Sequence, residues 1–208
     1  GIMYVGGISG IIGGYIYEHG CRTAGTTPAA ALCILIPFLS CLIGSALMAL
    51  IYSFLTVTLR ANQNVTGLAL TTFGVGVGNF FGGSLLRFFG ESGSISLLTT
   101  GIYYKTSFPF AKDLGAVGKL FFSYGFLAYL AIAIAILAGI FLNRTRVGLN
   151  LRAVGESPAT ADAVGINVTA YKYAATVIGG MIAGLGGLYF VMDYTGGAWT
   201  NNGFGDRG

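Results

Sequence analysis

Four long stretches of this sequence contain no charged residue, and they constrain the fold more than any other feature. They cover residues 23–59, 61–86, 120–143 and 173–192. Each stretch can supply the roughly 20 apolar residues that a membrane-spanning helix needs. A single Asp, Lys or Arg at the bilayer centre would cost about 2.5–3.5 kcal/mol. The sequence therefore predicts an all-α, polytopic transmembrane helical bundle.

The composition supports the same class. Charged residues make up 9% of the chain, against about 25% in soluble domains. The basic residues are scattered among loops and form no patch, which argues against nucleic-acid binding. Cys33 and Cys41 fall inside a predicted span, where a thiol behaves as a small apolar side chain. We therefore infer neither a disulfide nor a metal site.

The charge-free stretches and their flanks divide the chain into spans and turns. The predicted spans are residues 31–58, 65–89, 120–142 and 170–194, with a truncated span at 1–17 and polar turns at 18–29 and 60–64. The span 65–89 contains six glycines. This density indicates either a tightly packed helix or a broken one, because non-helical backbone at membrane depth survives only inside protein or beside a cavity.

Residues 90–119 combine lysines with aromatic side chains. Lys105, Lys112 and Lys119 are mixed with Tyr103 and Tyr104. This mixture is typical of a segment that lies on the membrane surface. If residues 143–169 face the cytoplasm, we expect residues 60–64 to lie on the same side and residues 18–30, 90–119 and 195–208 to face outward.

Residues 143–169, here called the polar island, separate two charge-free spans. The polar island carries five charged residues: Arg144, Arg146, Arg152, Glu156 and Asp162. A plain connector between spans does not need this length or this composition. Two interpretations follow from the residues alone: a locally ordered loop without a partner, or a docking helix that a second protein grips from the cytoplasm.

The polar island contains a helix start and a helix stop. Ser157 can cap a helix, Pro158 fits the first helical position, and Gly165 can end the helix. The spacing predicts a short helix over residues 158–164, with Thr160 and Asp162 on its surface. Such a helix could pass movement between a membrane domain and a cytosolic ATPase.

Two blocks of sequence carry a family resemblance. GLNLRAVGESPATADAVGIN followed by YKYAATVIGGMIAGLGGLYF resembles the cytoplasmic loop and next span of bacterial ABC importer permeases for ribose, branched-chain amino acids and nucleosides. NVTGLALTTFGVGVGNFFGG is most similar to the nucleoside permeases that work with basic-membrane-lipoprotein-type binding proteins. NNGFGDRG near the end also matches, although Asp206 stands where the family often has a second glycine before Arg-Gly.

The resemblance implies a single transmembrane permease domain over residues 1–208, truncated at both ends, in a bacterial plasma membrane. Its implied partners are cytosolic ATPase subunits that hold ATP and Mg²⁺, a second permease subunit and an external solute-binding protein. No cofactor is expected in this chain itself. The residues implied to couple to the ATPase lie in the polar island: Arg152, Glu156, Ser157, Pro158, Ala159, Thr160, Asp162 and Gly165.

Glycines recur at helical spacing in three places. Gly6, Gly10 and Gly14 form one row, Gly74, Gly78 and Gly82 a second, and Gly180 pairs with Gly184. Such rows let two helix backbones approach closely, since lipid supplies no hydrophobic drive for packing. They predict helix packing, either within one subunit or between two permease subunits.

A few polar and aromatic residues are candidates for the solute pathway. Asn79 lies among phenylalanines at membrane depth, where an amide usually faces the bundle interior or a cavity. It either forms an interhelical hydrogen bond or contacts a polar solute, with Phe73 and Phe80 offering ring faces. Trp199, Asn201 and Asn202 are either an interfacial anchor or part of the pathway mouth.

Other function classes are less consistent with these residues. The chain has no G-x-x-x-x-G-K-[ST] phosphate loop, so it is not expected to hydrolyse ATP itself. A secondary carrier often has an intramembrane carboxylate, whereas Glu18, Glu91 and Asp193 fall at span ends. The carrier, a channel and a non-transporting scaffold remain alternatives. The motif around Ser9 resembles that of an intramembrane serine protease, for which His19 would have to be the base.

Overall fold

The computed structural model describes residues 1–25, 29–88, 95–105 and 125–199. Within these ranges the chain is built from helices, which we number in chain order. They are α1 (Ile2–Ala24), α2 (Ala30–Ser53), α3 (Gln63–Phe88), α4 (Leu98–Lys105), α5 (Phe126–Arg144), α6 (Arg146–Glu156), α7 (Pro158–Ala163) and α8 (Val168–Tyr189). Helices α2 and α8 each continue into a turn of π-helix, Phe54–Thr58 and Phe190–Tyr194 respectively. The prediction of an all-α bundle is confirmed.

Four of the described segments are long and apolar enough to cross a membrane. They are Ala30–Thr58, Gln63–Gly82, Phe126–Arg144 and Val168–Tyr194. Each coincides with one of the charge-free stretches, because a run of apolar residues without charge is what permits a helix to lie in lipid. The four predicted spans are therefore present as helices. Residues 120–124 of the third predicted span lie outside the described residues.

The first helix extends beyond its predicted end. Residues 18–29 were expected to form a polar turn, but α1 continues to Ala24 and ends at Gly25, which has a φ of +66°. The polar residues remain helical because one of them is used in packing. The carboxylate of Glu18 accepts hydrogen bonds from Thr100 of α4. Glycine suits the left-handed conformation that closes the helix.

Helix α1 lies at the centre of the bundle, against α2, α3 and α8. Its glycines permit very short distances between backbones. A Cβ added to Gly6 would lie 2.6 Å from the Cα of Gly184, and one added to Gly187 would lie 2.0 Å from the Met3 carbonyl oxygen. Any side chain at these positions would collide with backbone, so the α1–α8 contact requires glycine on both helices.

Helix α3 is continuous, although its glycine density left a broken helix possible. Two of its glycines face α1: Gly74 lies beside Gly1, and Gly78 lies beside the Tyr4 ring. Gly67 and Gly76 face open space. The glycines thus divide between a packing face and an open face.

Helix α4 corrects the prediction of a surface segment at 90–119 in part, for residues 95–105, which the structure describes. Tyr104 is fully buried, and its hydroxyl donates to the Ile34 carbonyl at 2.6 Å. The preceding residues pair with the chain after α8, through an antiparallel bridge between Ser96 and Ala198. Aromatic and basic composition did not reveal this, because Tyr104 packs inward while Lys105 remains exposed. Lys112 and Lys119 lie outside the described residues.

The bundle has two ends with different compositions. One end, here called the coupling end, contains the polar island, residues 59–63 and the start of α8. The Thr58 and Tyr173 hydroxyls form a hydrogen bond there. The far end contains residues 18–25, α4 and residues 193–199. The prediction that the polar island and residues 60–64 lie on the same side is confirmed.

Candidate coupling site and solute pathway

The polar island folds into two helices, although sequence reasoning predicted only one. Helix α6 begins after Thr145, whose hydroxyl accepts from the Gly148 N–H at 3.0 Å. One face of α6 packs inward through Val154, which is 3% exposed. The opposite face carries exposed Arg152 and Glu156. A threonine at the N-cap before an amphipathic run was the signal for this helix.

Helix α7 lies close to its predicted position. It spans Pro158–Ala163, one residue shorter than predicted, and Gly165 follows it with a φ of +85°. Ser157 occupies the N-cap position, but the expected capping hydrogen bond of its side chain is not formed. The Ser157 hydroxyl bonds to the Thr160 hydroxyl at 2.7 Å, and its side chain makes no capping bond to a backbone N–H.

The residues predicted to contact an ATPase lie together on the outer surface of α6 and α7. Apart from half-buried Ser157, all of them are exposed: Arg152, Glu156, Pro158, Ala159, Thr160, Asp162 and Gly165. Ala161 is 4% exposed and holds α7 in place from below. Val164 is 75% exposed at the tip and was not singled out from the sequence. This exposed valine beside α7 gives an otherwise polar surface one apolar group that a partner can contact.

Hydrogen bonds fix the orientation of α6. The side chain of Asn150 donates to the Tyr171 hydroxyl of α8 at 3.1 Å. On the exposed side, Arg152 donates to Asn143 at the end of α5, at 3.0 Å. Helix α6 is therefore tied to both neighbouring spans, one on each side of the polar island.

A cavity of about 440 Å³ lies between α6, α7 and the bundle. Its lining comes from the end of α2, from α3, α6 and α7, and from the start of α8. Tyr52, Thr56, Gln63, Lys172 and Thr176 contribute its polar groups. Space behind the two helices leaves room for them to shift relative to the bundle.

Among the side chains that the structure describes, the coupling end carries more positive charge than the far end. Its basic residues are Arg60, Arg144, Arg146, Arg152 and Lys172, and its acidic residues are Glu156 and Asp162. The described residues of the far end carry Arg22 and Lys105 against Glu18 and Asp193. An excess of Lys and Arg near span ends is typical of the cytoplasmic side.

The candidate pathway residues divide into two groups. Asn79 accepts a hydrogen bond from the Tyr4 hydroxyl at 3.4 Å. Trp199 is 2% exposed and meets the Tyr4 ring edge to face, with centroids 5.4 Å apart. The structure therefore brings Asn79 and Trp199 together around Tyr4. Tyr4 lies 75 residues before Asn79, and no local sequence signal identified it.

The phenylalanines do not join this cluster. Phe73 is 55% exposed and Phe80 is 65% exposed, on the open side of α3. Phe80 instead packs edge to face on Phe81. Asn201 and Asn202 lie outside the described residues.

The glycines predicted for helix packing contact neighbours within this chain. Gly180 lies against Ala49, Gly184 against Ser45, and Gly78 against Tyr4. Gly74 meets Gly1, and Gly82 is buried. These contacts favour packing within one subunit over packing between two.

The protease alternative lacks the required geometry. The Ser9 hydroxyl donates to the Gly6 carbonyl at 3.0 Å. His19 lies ten residues further along the same helix, which corresponds to about 15 Å of rise. A base at that distance cannot take the proton of Ser9.

Three curated relatives of this chain are named as transport permeases. It is 34% identical over 200 residues to the nucleoside ABC transporter permease protein NupC of Lactococcus lactis, covering 94% of this chain and 58% of the relative. It is 32% identical over 171 residues to the guanosine ABC transporter permease protein NupQ of Bacillus subtilis, covering 80% and 52%. It is 33% identical over 152 residues to a putative glucose ABC transporter permease protein of Haloferax volcanii, covering 71% and 43%.

The chain spans about half the length of these relatives. No solved structure matches it significantly. The family model described as the permease component of the branched-chain amino acid transport system matches residues 2–206. With four helices able to cross a membrane, the chain is a multi-pass integral membrane protein and belongs to this permease family.

Proposed function

We propose that this chain is part of the membrane subunit of an ATP-driven ABC importer for nucleosides or sugars. The observation that carries the proposal is the exposed surface of α6 and α7 at the coupling end. Pro158, Ala159 and Asp162 are exposed there on a short helix that is held from below by Ala161. The names of the relatives, which cover nucleosides, guanosine and glucose, support the solute class.

The proposed orientation places the coupling end in the cytoplasm of a bacterial cell, with the protein in the plasma membrane. Five basic and two acidic residues at this end support it, since cytoplasmic loops carry an excess of Lys and Arg. The far end then faces outward, where a solute-binding protein delivers its cargo. Glu18, α4 and residues 195–199 form the described part of that surface.

Energy for transport comes from a partner in this proposal. ATPase subunits bind ATP and Mg²⁺ and grip the outer surface of α6 and α7. Their closure moves these helices and shifts the bundle between outward-open and inward-open states. Coupling requires that solute binds the two states with different affinity. A second permease subunit, identical or paralogous, encloses the pathway with this one.

The cluster of Tyr4, Asn79 and Trp199 is the proposed pathway element within this chain. An amide and two aromatic rings suit a nucleoside or a sugar, since rings stack on apolar faces and an amide both donates and accepts hydrogen bonds. Phe73 and Phe80 contribute only if a second subunit or a further part of the permease covers the open side of α3.

Affinity purification of the full-length permease from native membranes tests the proposal. We expect an ATPase with a phosphate loop to co-elute, and nucleosides together with a binding protein to stimulate its activity. If no ATPase co-elutes in mild detergent, the proposal fails, and a secondary carrier or a scaffold becomes the better description.

Two substitutions locate the docking surface. Ala159→Trp and Glu156→Trp place bulky side chains at exposed positions on α7 and α6. We expect both to weaken ATPase association and transport. Ile102→Trp, at a position that is 67% exposed at the far end, is the matched control and should leave association intact. Normal association and transport in both coupling-end variants would contradict the assigned surface.

A further inference from the structure

Movement of α6 and α7 can reach the bundle through α5 or through α8, the two spans that flank the polar island. Helix α5 is a weak route. Within the described structure, only 6% of the most apolar 18 residues of α5 are buried. It packs against the rest of the bundle in its first turn, where Leu127 is 5% exposed and Phe126 packs on Tyr104. That turn lies at the far end, so a tilt of α5, which is bonded to α6 at the coupling end, is passed only weakly to the other spans.

Helix α8 is attached much more closely at the coupling end. Its first two turns carry Tyr171 and Tyr173, which project about 200° apart around the helix because successive residues differ by about 100°. Tyr171 accepts the hydrogen bond from Asn150 of α6, at 3.1 Å. Tyr173 shares a hydrogen bond with Thr58, the last residue of the π-turn that ends α2. One turn of α8 therefore links the island to α2.

Beyond this turn, α8 runs along the core of the bundle. Gly180 lies against Ala49 of α2, and Gly184 lies against Ser45. Gly187 meets the backbone of α1 at Met3. Gly180 and Gly184 meet short side chains of α2, and Gly187 meets the α1 backbone directly, so α8 is in close contact with both helices. A displacement of the start of α8 is thus passed to α1 and α2.

We infer that Tyr171 and Tyr173 are positioning residues that transmit movement of α6 and α7 to α2 and α8. This inference rests on the proposed function and names the residues that couple ATP hydrolysis to the membrane helices. Helices α6 and α7 also pack inward through Val154 and Ala161, beside a cavity of about 440 Å³. The two tyrosine hydroxyls add directed hydrogen bonds to α6 and to the end of α2.

The test uses the full-length permease reconstituted with its ATPase and binding protein in vesicles. The variants are Tyr171→Phe and Tyr173→Phe, which remove one hydroxyl each and keep the ring. Thr72→Val on α3 is the control outside the coupling site, because the exposed Thr72 hydroxyl donates to the Leu68 carbonyl of its own helix. The readout is solute transported per ATP hydrolysed, measured on complexes that retain the ATPase.

We expect each phenylalanine variant to lower this ratio about 2- to 10-fold, the range that corresponds to one hydrogen bond. ATPase association and basal hydrolysis should remain normal, and Thr72→Val should behave as wild type. The double variant Thr58→Val/Tyr173→Phe should be no worse than Tyr173→Phe alone, because both changes remove the same bond.

A wild-type ratio in both phenylalanine variants would overturn this inference and leave the proposed function intact. Loss of ATPase association in them would also overturn it, since these residues would then serve docking. A wild-type permease that transports solute without any ATPase would remove the proposed function itself, and this inference with it.

Discussion

The carboxylate of Glu18 accepts two hydrogen bonds from Thr100, one from the backbone N–H at 2.8 Å and one from the hydroxyl at 2.7 Å. Glu18 lies on α1 and Thr100 on the first turns of α4, 82 residues away. Thr100 is fully buried. This contact fastens the segment after α3 to the central helix of the bundle.

Removing the carboxylate charge should loosen the far end. We expect Glu18→Gln to destabilise the protein by about 1–3 kcal/mol, because hydrogen bonds to a charged acceptor are stronger than neutral ones. The measurement is the thermal unfolding midpoint in detergent, followed by tryptophan fluorescence. Thr23→Val, which removes a hydroxyl bonded within α1 itself, is the control. An unchanged midpoint in Glu18→Gln would show that the charge of Glu18 does not contribute to stability through its contact with Thr100.

Two adjacent glycines in α8 should respond oppositely to alanine. A Cβ at Gly187 would lie 2.0 Å from the Met3 carbonyl oxygen, whereas a Cβ at Gly186 would have nothing within 4 Å. We expect Gly187→Ala to abolish most folded protein, because overpacking against backbone cannot be relieved by a rotamer change. Gly186→Ala should be neutral or stabilising by up to about 1 kcal/mol, the helix propensity difference. Folded yield after size-exclusion chromatography measures both, and equal yields would contradict the α1–α8 contact.

The end of α7 should depend on backbone conformation alone. Gly165 has a φ of +85° and has nothing near its Cβ position, so Gly165→Ala adds strain without a collision. The strain costs on the order of 1–2 kcal/mol. We expect the chain to relieve it by displacing the residues after α7. We expect weaker ATPase association, measured by co-purification. Gly155→Ala is the matched control, since Gly155 is helical and also faces open space. Normal association for Gly165→Ala would mean that the end of α7 does not contribute to docking.

Asn79 and Tyr4 should be energetically coupled. Tyr4→Phe and Asn79→Leu each remove the hydrogen bond between α1 and α3. Each should cost about 0.5–1.5 kcal/mol in unfolding free energy. The double variant should cost less than the sum of the two, because residues in contact are not additive. Denaturant unfolding of all four proteins completes the cycle. Full additivity would show that the hydrogen bond between Tyr4 and Asn79 does not contribute to stability.

The spans were predictable because the bilayer imposes a simple rule on the sequence. Charge is expensive at membrane depth, so the gaps between Arg22, Arg60 and Arg87 mark helices whatever their tertiary contacts are. The position of α7 was equally local, since Pro158 and Gly165 act on their own backbone. Neither inference required knowledge of a neighbouring helix.

The contacts around α4 could not be predicted in the same way. Tyr104 is buried because Ile34 and Phe126 surround it, and these residues lie about 70 and 20 positions away. Composition alone placed it at the membrane surface. Tyr4 was not predicted as a site residue for the same reason, since its partners Asn79 and Trp199 are distant in sequence. The extension of α1 to Ala24 likewise depends on the distant Thr100.

The candidate coupling surface was predicted better than the candidate pathway. Residues 156–165 form a continuous segment, so a local motif keeps its members together when the chain folds. Phe73, Asn79 and Phe80 also lie close in sequence, yet they point to different sides of α3. Helical geometry decides this, because Phe73 and Phe80, seven positions apart, share one face, whereas Asn79, six positions after Phe73, lies about 120° around the helix from it.

The backbone contact between α1 and α8 has a mechanical consequence. With its π-turn, α8 covers Val168–Tyr194, 27 residues, which corresponds to about 40 Å. A tilt of about 5° around one end of a rod this long displaces the other end by about 3.5 Å. Since Gly6 and Gly184 leave no side chain between the two helices, α1 follows that swing. Tyr4 on α1 then travels with it, so a small push at one membrane face reshapes the surroundings of Asn79 deep in the bundle.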